Sequence, residues 1–485
     1  MISVFIREQR RYTQDELSKL FECSGDKITR IIKKLKEYGV LKTVRTNDDQ
    51  KNLTELSDAD VEIVDVEIGD TEFLYVFTFV GVITVAGRVL KCYPKYLLHA
   101  ERPIKELKQV LRVLEKYSSR EQIVRMFNNT DESHSFNLLA VILFLMNDYF
   151  INDVYSNTEE IIESNGMGEI LWDKTINDTF AFLSNNRPYY IDLQTKKRVN
   201  DDYDYFKRLH ECILTKASEE MKDADLLSLF DYTEVDLTDE ELDDFGDKEY
   251  ILYRIEKELN VQFNTRKQMV LKTMYAYIER GGHLYDMDCL SMFGSNSFHR
   301  VWEDVCSDIM DNQLYVKLGT IKLPKKLDES YDKNEKLIDI IEKPMWSATK
   351  RTATDTLIPD LISIRDRDFI IFDAKYYNAI LVENQRPKGQ PGIESVTKQY
   401  LYQLAYQKFI KEHEFKYIRN CFILPTEEDE VLIKGEVVMD MLSNLGLEPI
   451  KVRYIPATDV YDYYLSGRKM NYDILKLNYE DMNCN

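Results

Sequence analysis

The run from Leu357 to Tyr376 constrains the fold more than any other stretch of this 485-residue chain. Leu357-Ile358-Pro359-Asp360-Leu361-Ile362-Ser363-Ile364 and Phe369-Ile370-Ile371-Phe372-Asp373-Ala374-Lys375-Tyr376 are β-like, and the residues between them, Arg365-Asp366-Arg367-Asp368, are all charged. Two such runs around a polar turn read as a β-hairpin. A turn centred between Asp366 and Arg367 sets Asp360 directly opposite Asp373. Opposed ladder positions bring Cβ atoms to about 4.5–5.5 Å, where like charges repel. Side chains alternate along a strand, so Lys375 falls on the face of Asp373, while Phe372 and Ala374 turn to an apolar core behind.

Two opposed carboxylates call for a cation. A hard divalent ion such as Mg²⁺ takes oxygen ligands and keeps several waters, which leaves room for a phosphate. One or two ions fit, with Mn²⁺ as a substitute. With Lys375 alongside to orient or deprotonate a nucleophile or to stabilise developing negative charge, the set suits phosphodiester hydrolysis. A surface ion-pair cluster is the plainer alternative, and the apolar neighbours on both strands argue against it.

Pro359-Asp360 followed by Asp373-Ala374-Lys375 resembles the PD-(D/E)xK nuclease motif, in the form seen in McrC-like and LlaJI-family restriction endonucleases. The resemblance implies a glutamate from a preceding helix, matched by Glu303 in Phe298-His299-Arg300-Val301-Trp302-Glu303. It also implies a downstream helix with Gln and Tyr, matched by Lys398-Gln399-Tyr400 and Gln403. Tyr93-Pro94-Lys95-Tyr96 and the segment Asn165 to Trp172 look like LlaJI-family sequence too. The helical wheel puts Phe298, Val301, Trp302, Val305 and Ile309 on the apolar side and Glu303 on the flank. The wheel of the downstream helix gives Tyr400, Leu401, Leu404 and Phe409 as its core side. Tyr376 and Tyr377 read as packing residues. These families work with a separate AAA+ GTPase of the McrB type, so the resemblance implies such a partner, with double-stranded DNA as substrate. A double-strand cut needs two active sites, which a dimer or two captured complexes would supply.

The expected architecture is multidomain α+β, since the chain is long for one core at roughly 100–200 residues per domain. Residues 1–58 read as a winged helix-turn-helix. Thr13 caps a first helix, Cys23-Ser24-Gly25-Asp26 turns, and Lys27 to Tyr38 forms a second helix whose Ile28, Ile31, Ile32 and Leu35 share one face. Lys27, Arg30, Lys33, Lys34 and Lys36 are then free to face DNA, while contact with protein is the other use of such a unit. Residues 59–100 read as a small β-rich segment, 101–290 as mainly helical with an acidic stretch at 201–250, and 291–485 as an α/β nuclease domain.

A net charge of −21 speaks against nucleic acid only as an average. Residues 201–250 hold 18 acidic and 5 basic side chains, while the first 45 hold 11 Lys/Arg against 6 Asp/Glu. No stretch of about 18 apolar residues and no secretory leader is present, which gives the expectation of a cytoplasmic protein without a membrane span. The seven cysteines lack a CxxC pair and the six histidines lack HxH or HExxH spacing, which disfavours zinc and a disulfide framework. Nothing matches G-x-x-x-x-G-K-[ST], so the chain is not itself a P-loop NTPase. Two other functions stay open on sequence: a winged-helix regulator with an inactive nuclease-like domain, and a metal-dependent RNase.

Overall fold

The computed structural model describes residues 2–45, 73–118, 137–200, 204–280, 283–284 and 290–477. The expected start of a wing at Thr46-Asn47-Asp48-Asp49 and the strand expected at Val61–Val64 lie outside them. The fold is multidomain α+β, in two compact units. One comprises Ile2–Ile83, Val89–His134 and Phe293–Asn485, and the other Thr84–Arg88 and Ser135–Met292.

The larger unit begins with β1 (Ile2–Arg7) and β2 (Arg11–Tyr12), then α1 (Gln14–Leu20) and α2 (Asp26–Glu37). Thr13 caps α1 by accepting from the Glu16 amide at 3.1 Å, and Glu16 returns the bond to the Thr13 amide at 2.8 Å. Leu17, Phe21, Ile28, Ile31, Ile32 and Leu35 are buried, as their helical spacing predicts. Lys27, Arg30 and Lys33 are exposed and Lys34 is half-buried. Lys36, expected to face outward, instead lies half-buried over the Tyr75 ring, 5.3 Å from its centroid. Its alkyl stem covers apolar surface, as long cationic side chains do.

β3 (Leu41–Arg45) and β4 (Phe73–Phe77) pair antiparallel with Leu41 opposite Phe77, and β2 joins β4 on its other edge. β5 (Val80–Val85) and β6 (Arg88–Tyr93) enter a different sheet. The strands around residues 73–93, read as one small sheet, are thus divided between two. α3 (Ile104–Ser118) follows.

The second unit contains α4 (Leu138–Asn152) and then β7 (Thr158–Ser164), β8 (Glu169–Ile170), α5 (Trp172–Asp178), β9 (Ala181–Ser184), β10 (Arg187–Tyr190) and β11 (Gln194–Asn200). Strands occupy most of 158–200, within a region whose spacing reads as mainly helical. The missed signal is Asn185-Asn186, both at positive φ, a two-residue hairpin turn that pairs Ser184 with Arg187. α6 (Tyr205–Asp223), α7 (Lys248–Val261) and α8 (Thr265–Arg280) complete the unit. The Arg266 guanidinium grips Asp148 of α4 at 2.7–3.1 Å.

β12 (Leu290–Ser295) leads back, and the first four-stranded sheet runs β1-β6-β5-β12. Gly81 and Gly294 lie back to back there: a Cβ on either would meet the Phe293 or Val80 carbonyl oxygen at 2.1 or 2.2 Å. Next come α9 (Phe298–Ile309), the short hairpin β13 (Met345–Trp346) and β14 (Arg351–Thr352), and the expected hairpin β15 (Leu361–Arg365) and β16 (Asp368–Ala374). After them lie α10 (Ile393–Glu412), β17 (Tyr417–Thr426), β18 (Leu432–Val437), α11 (Asp440–Ser443), β19 (Ile450–Pro456) and α12 (Ala457–Ser466).

The five-stranded sheet is ordered β15-β16-β17-β19-β18, with β16, β17 and β19 parallel and both edge strands antiparallel. α10 covers the face of Ile362, Ile364, Phe369 and Ile371 through Tyr402, Tyr406 and Phe409. α9 and α12 pack on one another and reach β16 and β19, with Trp302 edge-on to Tyr461. Both faces of the central strands are covered, as a parallel sheet requires, and one of them also buries Arg419, Lys451 and Arg453. Among the described residues no helix is long and apolar enough to cross a membrane.

Candidate active site

The hairpin has the register that the turn position dictates: Leu361 faces Phe372 and Ile362 faces Ile371. Continuing that ladder by one step sets Asp360 against Asp373. The Asp360 Oδ2 accepts from the Ala374 amide at 3.0 Å, next to Asp373 in the chain. Asp373 is buried and its Oδ1 lies 3.0 Å from the Lys375 Nζ. The Lys375 amide donates to the Ile423 carbonyl at 2.8 Å, so β17 fixes the chain just beyond the end of β16. Asp360, Asp373 and Lys375 therefore converge at the open end of the hairpin, away from its turn.

Burial, then the hydrogen bond and charge of Asp373, raise the Asp360 pKa, and Glu303 adds to the rise while Lys375 opposes it. Burial alone would lower the Lys375 pKa, but Asp373 and Asp360 outweigh it and hold the ammonium above its usual range. The raised Asp360 pKa lets its carboxyl stay protonated beside Asp373 where no cation offsets the charge. This oxygen-rich pair, Asp373 buried and Asp360 half-buried, is the donor chemistry of a hard divalent ion. Among the described residues no group of three or more His, Cys, Asp or Glu is arranged to hold a metal, so the pair would take its remaining ligands from water and phosphate.

Glu303 is half-buried on α9, and its charge reaches Asp360. The apolar face expected for α9 is buried throughout: Phe298, Val301, Trp302, Val305 and Ile309 are each at most 1% exposed. For α10 the expectation fails at two positions. Leu401 and Leu404 are each 44% exposed, whereas Gln399 and Gln403 are fully buried. Gln399 Nε2 donates to the Ile371 carbonyl at 2.8 Å, two residues before Asp373, and its Oε1 is buried without a partner. Gln403 Oε1 accepts from Asn420 at 2.7 Å and from the Glu448 amide at 3.0 Å. Polar side chains won the buried face because the sheet and the loop behind it offer hydrogen-bond partners that hydropathy cannot register.

Two contributors went unread in the sequence. Asn312 brackets Asp360, donating to its carbonyl at 3.2 Å and accepting from the Ile362 amide at 3.1 Å. Glu8, just past β1, accepts from the Tyr376 hydroxyl at 2.6 Å and from the Lys95 amide at 3.2 Å. The Lys95 ammonium sits 4.5 Å from the Tyr376 ring centroid and 3.1 Å from Gln9 Oε1. Tyr376 follows Lys375 directly, so the motif Tyr93-Pro94-Lys95-Tyr96 helps to fasten the strand end that carries the candidate lysine. Lys27, Arg30, Lys33 and Lys34 stand on α2.

The LlaJI restriction endonuclease family model matches residues 79–458. The type II restriction enzyme BsuMI component YdjA of Bacillus subtilis strain 168 is 27% identical over 430 residues, covering 82% of this chain and 83% of that protein. Among solved structures, the chain is similar to one in the Thermococcus gammatolerans assembly of McrB AAA+ hexamers with bound McrC, at 12% identity and a TM-score of 0.38 over 96% of this chain and 99% of that one. A second, the McrBC complex of the same organism, gives 12% identity and a TM-score of 0.24 over 62% and 84%. Likenesses this distant carry no structural argument. The family match does, and since it spans the whole hairpin with Asp360, Asp373 and Lys375, the chain belongs to the LlaJI restriction endonuclease family.

Proposed function

We propose that this restriction endonuclease is the subunit that cuts double-stranded DNA, using a divalent cation held by Asp360 and Asp373, with Lys375 beside it. The observation that carries the reading is the hairpin register that sets Asp360 against Asp373, with the Lys375 ammonium 3.0 Å from Asp373. A bound Mg²⁺, or Mn²⁺ in its place, supplies Lewis acidity at the scissile phosphate. Lys375, whose proton the two carboxylates hold, donates a hydrogen bond to the phosphate and stabilises charge that grows as the bond breaks. Glu303 adds negative charge that acts on Asp360, and Gln399 positions the strand through the Ile371 carbonyl.

In this reading the five-stranded sheet with α9 and α10 is a PD-(D/E)xK nuclease core. The N-terminal helix pair with β3 and β4 is a winged helix-turn-helix whose Lys27, Arg30, Lys33 and Lys34 meet DNA phosphates. The nucleotide-driven part of the system lies on a separate AAA+ GTPase of the McrB type. Two facts support a separate subunit: this chain has no P-loop motif, and its Bacillus subtilis relative is named as one component of a restriction enzyme.

The test is plasmid cleavage with Mg²⁺, with and without the GTPase. Asp373→Ala should abolish cutting while DNA binding persists. Unchanged cutting by that variant would overturn the site, binding without cutting in every condition would favour a regulator, and cleavage of RNA alone would move the substrate from DNA to RNA.

A further inference from the structure

The chain that enters Asp360 and the chain that leaves Lys375 both project from the protein before they return to it. On the entering side, every residue from 342 to 352 is exposed. The projection is nevertheless built: Met345 pairs with Thr352 and Trp346 with Arg351, the Thr349 amide donates to the Trp346 carbonyl at 3.1 Å, and the Ala353 amide to Pro344 at 2.7 Å. The Thr356 hydroxyl closes its base on the Glu342 carbonyl at 2.8 Å. On the leaving side, 382–388 are exposed and are pinned by two bonds between Ile380 and Lys388, at 2.8 and 3.2 Å.

Both arms are net basic in a chain whose net charge is −21, their cations outnumbering Glu342 on the first and Glu383 on the second. The first carries Lys343, Lys350 and Arg351, and the second Arg386 and Lys388. None of the five pairs with a carboxylate among the described residues. The first arm also leaves Met345 73% and Trp346 66% exposed, a cost that no contact within the protein offsets.

Reach settles what the arms can touch. Thr356 is four residues from Asp360, and Ile380 is five from Lys375. Extended segments of those lengths span at most about 14 and 18 Å, or four to five base-pair steps at about 3.4 Å each. Unpaired cations on both flanks of a phosphate-cutting site, with an exposed indole on one of them, match the backbone and the apolar groove surface of one ligand.

We propose that these two arms form a duplex-DNA clamp belonging to the nuclease domain itself, with the five cations on phosphates and Trp346 against the bases or groove floor. The inference rests on the DNA-cutting reading of Asp360 and Asp373, and it adds a second DNA contact distinct from α2.

Binding of a labelled duplex to the full chain is measured by anisotropy across a salt series, with Ca²⁺ in place of Mg²⁺. Each phosphate contact contributes about 0.9 to the slope of log affinity against log salt. The combined variant Lys343→Ala, Lys350→Ala, Arg351→Ala should lower that slope by about 2–3. Trp346→Ala should weaken binding about tenfold with the slope unchanged, because the indole carries no charge and releases no counterion. All these side chains are exposed, so melting curves should match wild type. If wild type binds and cuts while both variants bind with unaltered affinity and slope, the clamp is overturned and the cutting site stands. If the variants lose only self-association or partner binding, the arms are a protein interface and the clamp is again overturned. A wild-type chain that neither binds nor cuts duplex DNA, with or without the GTPase, overturns both.

Discussion

Asp360 and Asp373 are held together by the fold at a separation that their charges oppose, and that opposition has measurable consequences in the cation-free protein. Because the folded-state pKa of Asp360 lies above its ordinary value, the folded protein binds more protons there than the unfolded chain does. Its contribution to stability is therefore complete in acid and is lost as pH climbs from the ordinary carboxylate range towards neutrality and above. Asp360→Asn should flatten this slope in EDTA and stabilise the cation-free protein by about 1–2 kcal/mol near neutral pH, at the expense of cutting. Denaturant titrations of both proteins at several pH values check it; an unaltered slope in the variant would show that the pair is not under repulsion. Tyr376→Phe probes the fastening of Lys375. It leaves Glu8 buried with one fewer donor, at a cost of about 1–3 kcal/mol. Cutting should fall by more than this loss of folded protein explains, read as kcat on samples normalised for folded fraction.

At the scale of elements, the face of the sheet opposite Asp373 is closed by the C-terminal segment. Arg419, Lys451 and Arg453 are buried there, and they spend their hydrogen bonds on main-chain carbonyls: Arg453 on Leu475 and Lys476, Lys451 and Arg419 both on Leu477, at 2.6–3.0 Å. Tyr472 adds a bond to Ser363 at 2.8 Å and a ring contact with Phe372. Deleting residues 471–485 would strip three buried cations of acceptors at once, and at about 1.5–3 kcal/mol for each charged hydrogen bond the loss is about 5 kcal/mol or more. Thermal denaturation should show early melting, and melting unchanged from the full chain would mean that the strap is dispensable. The same scale shows how far patterns reach. The hairpin β15–β16 and the buried face of α9 follow from residue spacing because a period of two or 3.6 is local. The strands between 158 and 200 escaped that reading because they are short and lie between long helices.

For the molecule as a whole, the proposed function puts nucleotide chemistry and DNA cutting on different chains. The purified chain should retain no labelled GTP in filter binding and hydrolyse none, with turnover appearing only when the AAA+ subunit is added; GTP hydrolysis by this chain alone would contradict the division of labour. The sequence by itself determined the hairpin, its register, the facing of Asp360 and Asp373, and the side of Lys375, because alternation and turn position leave a strand pair one arrangement. Only the tertiary structure decided which side chains would stand around that hairpin. Glu8 reaches Tyr376 from 368 residues away in the chain. Asn312 brackets Asp360 from a loop, and Gln399 rather than Leu401 or Leu404 occupies the buried side of α10. A residue's own periodicity says which way it points, but the partners that make burying a carboxylate or an amide tolerable come from distant segments and exist only once those segments are packed together.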